Sequence, residues 1–408
     1  MMQRLSNFAE RGSFKLTTHT FVERAEQLME QYLADLRAIV NIDSGTYNKA
    51  GVDRVGAYLQ DRFQDFGFST HFDHQSEYGD HLVATHQGSA PNGPSILLVG
   101  HIDTVFPDGE AARRPFSTSR QNGMSIAKGP GVLDMKSGVL LGMYGVYMLI
   151  EAQLTNYKNV TFILNSDEEI GSRTSKPLIQ ELARQSDAAI VLEPGRQINT
   201  VVSSRRSSGL YRVEVQGRAA HAGVEPQKGI NAILELSYQV QGMQALQGAI
   251  PGTSLSVTVV RGGDRPNVIP DVAYCEMDVR ASDMAGIRNI EAAMRKVASR
   301  SMLVGTKITL SGAMRCLPFE RSERNAPLVR LVKEAGKELG LEIQDVASGG
   351  ASDANNTSPE GVPTIDGLGT GGGLAHNPDE YVELDYLPTR IALLSGFVQK
   401  IASGIRSK

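Results

Sequence analysis

The sequence predicts an α/β protein with a mostly parallel central sheet flanked by helices, interrupted by an inserted α+β domain. Three observations carry this. Short apolar runs such as residues 95–99 (SILLV) stop abruptly at glycine or charged residues, as strands buried on both faces do. Stretches of helical periodicity alternate with these runs in the first half of the chain. After about Ser203 the alternation gives way to the order strand, helix, strand, strand, helix, strand, and then resumes.

Taken in order, residues 20–40 put Phe21, Ala25, Leu28, Met29, Tyr32, Leu33 and Leu36 on one helical face. Residues 52–66 form a second helix, closed by Gly67. A buried strand at 95–99 and a long apolar helix at 135–152 follow. Buried strands at 159–164 and 188–192 enclose a helix at 175–184. Residues 210–216 alternate as a half-exposed strand. A helix (230–246), two strands (254–260 and 272–279), a helix (285–300) and a strand (307–311) complete a ferredoxin-like sandwich of about 110 residues. A helix at 326–339, strands near Ile343 and at 363–365, and a closing helix at 388–402 return to the first pattern. The predicted domains are therefore 1–203 with 317–408, and an insert at 204–316.

The 408 residues are too many for one ordinary core. With 41% hydrophobic and 21% charged residues the chain is globular rather than disordered. A net charge of -4 offers no basic surface to nucleic acid or anionic lipid. The N-terminal stretch carries Arg4, Glu10, Arg11 and Lys15 and lacks the apolar core of a signal peptide. The most apolar later stretch, 139–149, is too short to span a bilayer. A cytoplasmic protein without membrane or nucleic-acid partners is expected. Cys275 and Cys316 lie far apart and near no histidine cluster, so they read as core thiols. Any metal ligands must be His, Asp or Glu.

Such residues follow the buried strands. Gly100-His101-Ile102-Asp103 follows the first, Asp167-Glu168-Glu169 the second and Glu193-Pro194-Gly195 the third. Asp134 precedes the long apolar helix, and His376 follows a glycine-rich loop. Ligands of open α/β sheets gather at the carboxyl ends of the strands. His101, Asp134, Glu169, Glu193 and His376 suit two Zn2+ ions per chain, with Co2+ or Mn2+ as alternatives that accept the same nitrogen and carboxylate donors. One His and one Glu serve each ion, with Asp134 bridging. On extended backbone Glu168 and Glu169 point opposite ways. Glu169 is then a ligand, and Glu168 the general base that takes a proton from a metal-bound water and passes it to the leaving amine. Asp103, two residues after His101, fits a carboxylate that orients the imidazole. Each short motif alone would be an ordinary turn or helix cap; their joint arrival at strand ends is what points to chemistry.

The ordered set GHIDTV, GPGVLDMKSG, NSDEEIGS, LEPG, GRAAHAG, PNVIPDVAYCEMDVR, SGGASDA and LAHNPDEY resembles the co-catalytic zinc aminoacylase/carboxypeptidase family. That family includes acetylornithine deacetylase and succinyl-diaminopimelate desuccinylase. The NVIP, DVR and SGGASDA contexts look closest to its glutamate carboxypeptidases. The resemblance implies a phosphorylase/hydrolase-like catalytic domain, with the insert as a lid and homodimerisation domain. It gives one ion to His101, Asp134 and Glu193, and the other to Asp134, Glu169 and His376. It implies a cis peptide at Asp134-Met135. It makes His221 the residue that reaches the partner subunit's site and polarises the scissile carbonyl, with Asn267 beside it. Arg280 would bind the substrate's free carboxylate, supported by backbone N–H groups near Gly350 and, secondarily, by Arg315.

The implied reaction is hydrolysis of a peptide or N-acyl amide bond beside a free α-carboxylate, releasing a C-terminal amino acid such as glutamate from a small substrate. An N-acyl-amino-acid deacylase is the alternative. A non-catalytic binding protein on the same scaffold ranks below both, because the base and all five ligands are present. Gly367-Leu368-Gly369-Thr370-Gly371-Gly372 spells a dinucleotide fingerprint but leads to His376 rather than into a helix, which excludes it. Its glycines are expected to let the backbone bend close to metal and substrate. His71 and His74 flank the edge of a predicted strand, and no metal role is expected for them.

Overall fold

A computed structural model describes residues 18–404 except Arg196; the N-terminal stretch discussed above lies outside them. The chain forms two compact units. The first comprises Met1–Val201, Arg324–Asp345 and Val362–Lys408, and the second Val202–Glu323 with Val346–Gly361.

The first unit is built on a six-stranded sheet. Its spatial order is Ser69–Asp73, His81–Gln87, Asn159–Asn165, Ser95–His101, Ala188–Val191, Thr364–Ile365. The last four strands are mutually parallel. The first two pair antiparallel with their neighbours. The strand expected beside His71 and His74 is present as Ser69–Asp73, whereas His81–Gln87 was not foreseen, because His81 and His86 interrupt its apolar pattern. Every residue of Ser95–His101 is buried, as its unbroken apolar run requires. The expected strand near Ile343 begins at Gln344 and pairs with Thr200–Arg205, outside the central sheet.

The helix Ser137–Glu151 is apolar all round because it packs against neighbours on every side. The helices Thr18–Val40 and Leu387–Gly404 lie against it. The stretch Val132–Glu151 has the length and apolarity of a membrane span, but 83% of it is buried inside the unit, so it is a core helix. A second, antiparallel sheet runs Gly372–Gly373, Tyr381–Glu383, Met124–Lys128, Ser117–Gln121. Its hairpin between Gly373 and Tyr381 holds His376, and its Met124–Lys128 strand leads directly to the Asp134 turn.

The second unit carries a four-stranded antiparallel sheet, ordered Thr253–Gly262, Val272–Ala281, Ser208–Gln216, Lys307–Cys316. The helices Ala232–Gln244 and Met284–Ala298 complete the ferredoxin-like order. Its core holds Val213, Val215, Leu236, Cys275, Met277 and Ile290. Cys275 is buried as expected, whereas Cys316 is only half-buried at the end of its strand; both are free thiols.

One polar network ties the helices of the first unit together. Asp35 accepts hydrogen bonds from the Tyr58 hydroxyl (2.7 Å), the Tyr144 hydroxyl (2.6 Å) and Arg62 Nε (3.0 Å). Asp35 and Tyr144 are buried. Burial, and then the bond to the carboxylate, pushes the Tyr58 hydroxyl up to about 12. Asp35→Ala leaves the Tyr144 hydroxyl and the Arg62 charge without this acceptor. It should cost about 3–5 kcal/mol, read as an earlier denaturant transition of the first unit.

Candidate metal centre

Four side chains at the carboxyl ends of the central strands meet Asp134 and His376, which arrive from elsewhere. The strand Ser95–His101 ends in His101, which is fully buried. The strand Asn159–Asn165 runs on into Glu168 and Glu169, and Ala188–Val191 into Glu193. Asp134 arrives on the turn before Ser137–Glu151, where the Asp134-Met135 peptide is cis. His376 comes from the hairpin of the second sheet, with Leu374 and His376 at left-handed φ values of 61° and 63° that few non-glycine residues adopt.

Asp134 is the centre of this cluster. Its Oδ1 lies 3.1 Å from His101 Nε2, and its Oδ2 lies 3.1 Å from His376 Nε2. Glu193 Oε1 is 3.8 Å from His101 Nε2, and Glu169 Oε2 is 3.2 Å from His376 Nε2. Ligand atoms of His101, Asp134 and Glu169 all fall within 4.8 Å of one another, and so do those of His101, Glu168 and Glu193. Glu168 thus stands as near a ligand group as Glu169 does.

The two glutamates do not lie on extended backbone. They occupy a single 3-10 turn, Glu168–Ile170, which makes successive side chains diverge by about 120°. The chain turns there because Asp167 accepts bonds from Thr174 N, Thr174 Oγ1 and Ser175 Oγ. Asp103 supports the turn from below. Its carboxylate accepts from Glu168 N (3.2 Å), Glu169 N (3.3 Å) and Thr46 Oγ1 (2.6 Å). For His101 Nδ1 the nearer acceptor is the Asp103 carbonyl at 3.0 Å, with the carboxylate at 3.4 Å. Either contact keeps the proton on Nδ1 and turns the Nε2 lone pair toward Asp134 and Glu193.

The electrostatics are those of a site built for cations. Four carboxylates surround two imidazoles. Burial disfavours charge on His101, yet Asp103 and Asp134 outweigh it and hold its pKa well above the ordinary range. His376 is pushed up to about 11 by its bonds to Asp134 and Glu169. Burial, joined by the negative charges of Asp134 and Asp103, raises Glu169. Glu169 Oε1 is buried with no hydrogen-bond partner, a group that costs free energy until something positive meets it. Nitrogen and carboxylate donors without a thiolate fit zinc, manganese or cobalt. The residues therefore fit a divalent metal pair.

Glu380 was not found from sequence. It is fully buried and accepts from the backbone N–H groups of Gly131 (3.2 Å), Leu133 (2.7 Å) and Asp134 (2.8 Å). It therefore ties the Asp134 turn to the hairpin that carries His376. Its only sequence signal was a place in NPDE after His376, where an acidic residue looks like a surface turn.

The remaining expected site residues belong to the second unit. His221 is exposed, and its Nδ1 accepts from Gly223 N and Val224 N at 3.1 Å each. Ala222 N donates to the Asn267 carbonyl, so His221 and Asn267 are neighbours. Arg280 is half-exposed and paired through two nitrogens with Asp278, and its Nη1 donates to the Gly349 carbonyl. Gly350 offers its carbonyl to Arg205 Nη1 at 3.3 Å. Arg315 is exposed near the end of the Lys307–Cys316 strand. His71 and His74 lie at the far edge strand, with His74 bonded to Asp80.

A largely parallel sheet ending in convergent histidines and carboxylates defines a metal-dependent hydrolase. The chain belongs to peptidase family M20/M25/M40, which matches residues 97–400. Its relatives include carboxypeptidase G2 of Pseudomonas sp. (strain RS-16), 29% identical over 90% of this chain and 89% of that protein. Succinyl-diaminopimelate desuccinylase 2 of Shewanella loihica is 29% identical over 80% of this chain and 89% of its own length. Among solved structures, a tripeptidase from Staphylococcus aureus superposes with a TM-score of 0.78 at 21% identity, covering 92% of this chain and 98% of that one. The chain is accordingly a metallo-exopeptidase or amidohydrolase.

Replacing Glu380 by alanine unties the Asp134 turn without removing any ligand. Metal affinity should fall on the order of 10–100-fold, measured by competition with a chelator; unchanged affinity would show that the turn holds itself.

Proposed function

We propose that this protein hydrolyses a peptide or N-acyl amide bond beside a free α-carboxylate, using two divalent ions, and releases a C-terminal amino acid, glutamate being the first candidate. The observation that carries the reading is Asp134, with each carboxylate oxygen facing a different histidine. His101, Asp134 and Glu193 would hold one ion, and Asp134, Glu169 and His376 the other. Two zinc ions bound there would supply Lewis acidity toward the scissile carbonyl and make water easier to deprotonate.

The chain's own residues do the rest. Glu168 takes the proton of the attacking water and returns it to the leaving amine. His221 is held as the tautomer this chemistry needs. Because Nδ1 accepts two backbone N–H bonds, the neutral ring carries its proton on Nε2 and can donate it to a carbonyl oxygen. We place that donor in the partner subunit's site, in a homodimer formed through the second unit. Asn267 lies beside it in the fold. Arg280 receives the free carboxylate. Asp278 and the Gly349 carbonyl occupy three of its N–H donors and steady the fork. Gly350 and Arg315 are secondary contacts of the same substrate end.

The likeness to a carboxypeptidase supports release of an amino acid. The likeness at the same identity to a desuccinylase supports the second reading, an N-acyl-amino-acid deacylase. The metals and base are common to both, and the readings differ in what fills the acyl side.

Glu168→Ala should keep two zinc ions per chain while kcat falls roughly 10²–10⁴-fold. Loss of an ion would make Glu168 a ligand, and near-normal turnover would remove the proposed base. Across N-acyl amino acids, dipeptides and pteroyl-glutamate conjugates, wild type should prefer substrates ending in glutamate. His221→Ala should lower kcat on its preferred substrate about 10²–10³-fold with zinc retained. Preference for simple N-acyl amino acids would select the deacylase, and an unaffected rate would end the role of His221.

A further inference from the structure

Arg390 lies within the helix Leu387–Gly404 and is 1% exposed. All five of its N–H donors are used, and every acceptor is a backbone carbonyl. Nε and Nη2 donate to the Gly369 carbonyl (2.9 and 2.7 Å), and Nη2 also donates to Gly367 (2.7 Å). Nη1 donates to Ile198 (3.0 Å) and Thr200 (3.2 Å). Among the described residues its guanidinium meets no carboxylate. Burial draws its pKa down to about 10, which still leaves it charged at neutral pH.

These carbonyls belong to two segments that meet at Glu193. Gly369 N donates to the Glu193 carbonyl (2.9 Å), and Gly195 N donates to the Thr370 carbonyl (3.1 Å). The approach is so close that a Cβ on Gly369 would lie 2.2 Å from the Leu192 carbonyl oxygen and 2.7 Å from that of Glu193. From the other side, a Cβ on Gly138 would also lie 2.2 Å from the Leu192 oxygen. A Cβ on Gly195 would sit 3.1 Å from Arg390 Nη2 itself. The peptide that carries Glu193 is therefore pinned between the glycine loop and the start of the core helix, and the guanidinium gathers the loop onto it. A planar fork with five donors can hold four carbonyls in one arrangement; a lysine ammonium, with three freely turning donors, cannot.

We propose that Arg390 is a positioning residue for the metal centre, acting through Glu193: by fixing the Gly367–Gly369 carbonyls against the 193–200 segment it sets where the Glu193 carboxylate stands. The inference rests on the reading of Glu193 as a metal ligand. It further implies selectivity between the two ions. His376 follows the same loop but is anchored separately, by pairing of Gly372–Gly373 with Tyr381–Glu383 and by Glu380.

The test is zinc binding by the full-length protein, in competition with a chromogenic chelator and without substrate. Wild type should bind two equivalents, one of which Glu193→Ala should weaken; failure of either would refute the ligand reading itself. Given both, Arg390→Met should weaken one equivalent on the order of 10–100-fold and spare the other. In the Glu193→Ala background it should add nothing to the loss of that equivalent. Arg390→Lys should behave like Arg390→Met. Unchanged affinity, equal loss at both ions, additive losses in the double variant, or full rescue by lysine would each overturn the proposal. If the Arg390 variants fail to fold, Thr370→Val takes their place. It removes only the hydroxyl that meets Ser137 Oγ at 2.6 Å and so loosens the same loop. A smaller loss at the same equivalent supports the inference, and wild-type affinity in folded Thr370→Val overturns it.

Discussion

The Asp134 carboxylate has to answer two histidines at once, and the surroundings are arranged so that it can. Its two oxygens are each 3.1 Å from a different Nε2, and Glu168, Glu169 and Glu193 crowd the same space. Negative charges converging at the end of a buried sheet repel one another strongly in a low dielectric. The fold opposes that repulsion through the backbone. Glu380 grips three N–H groups of the Asp134 turn, Asp103 grips two of the Glu168–Glu169 turn, and Arg390 grips the carbonyls beside Glu193. Positions are thereby fixed by main-chain bonds that do not consume the side chains meant for chemistry.

This division explains what could be read from sequence. His376 stood out in the sequence because it follows a glycine-rich loop, and His101, Asp134, Glu169 and Glu193 because each follows or precedes an apolar run. The parallel strands were legible for the same reason. The antiparallel strand His81–Gln87 was not, because histidines at both of its ends break the apolar pattern. Glu380 and Arg390 escaped because their partners are backbone groups. Gly131 lies 249 residues from Glu380 in sequence, and a bond to a peptide group leaves no trace in side-chain identity. Glu168 and Glu169 were assigned divergent directions from an extended backbone, whereas the divergence comes from a 3-10 turn. The glycine loop reads as a means of bringing the backbone close to metal and substrate. What it approaches, the Leu192 and Glu193 carbonyls, only the fold could show.

Burial differs across the metal centre. His101 has 1% of its side chain exposed and His376 has 54%. One histidine is thus sealed into the sheet end, and the other is open to solvent. The buried half is organised by the strand Ser95–His101 and the exposed half by a short hairpin.

The first unit is assembled from three separated stretches of chain, and this bears on the order in which the protein is made. A ribosome releases His101, Asp134, Glu168, Glu169 and Glu193 first, then the whole of Val202–Glu323, and only afterwards the strand Thr364–Ile365, His376, Glu380 and Arg390. At the typical rate of about 5–20 residues per second, the earlier donors wait on the order of ten seconds or more for the later ones. During that interval the nascent chain has an open edge beside Ala188–Val191 and an unfinished acidic cluster. The central sheet and the cluster it carries can close only once the third stretch of the first unit has been made.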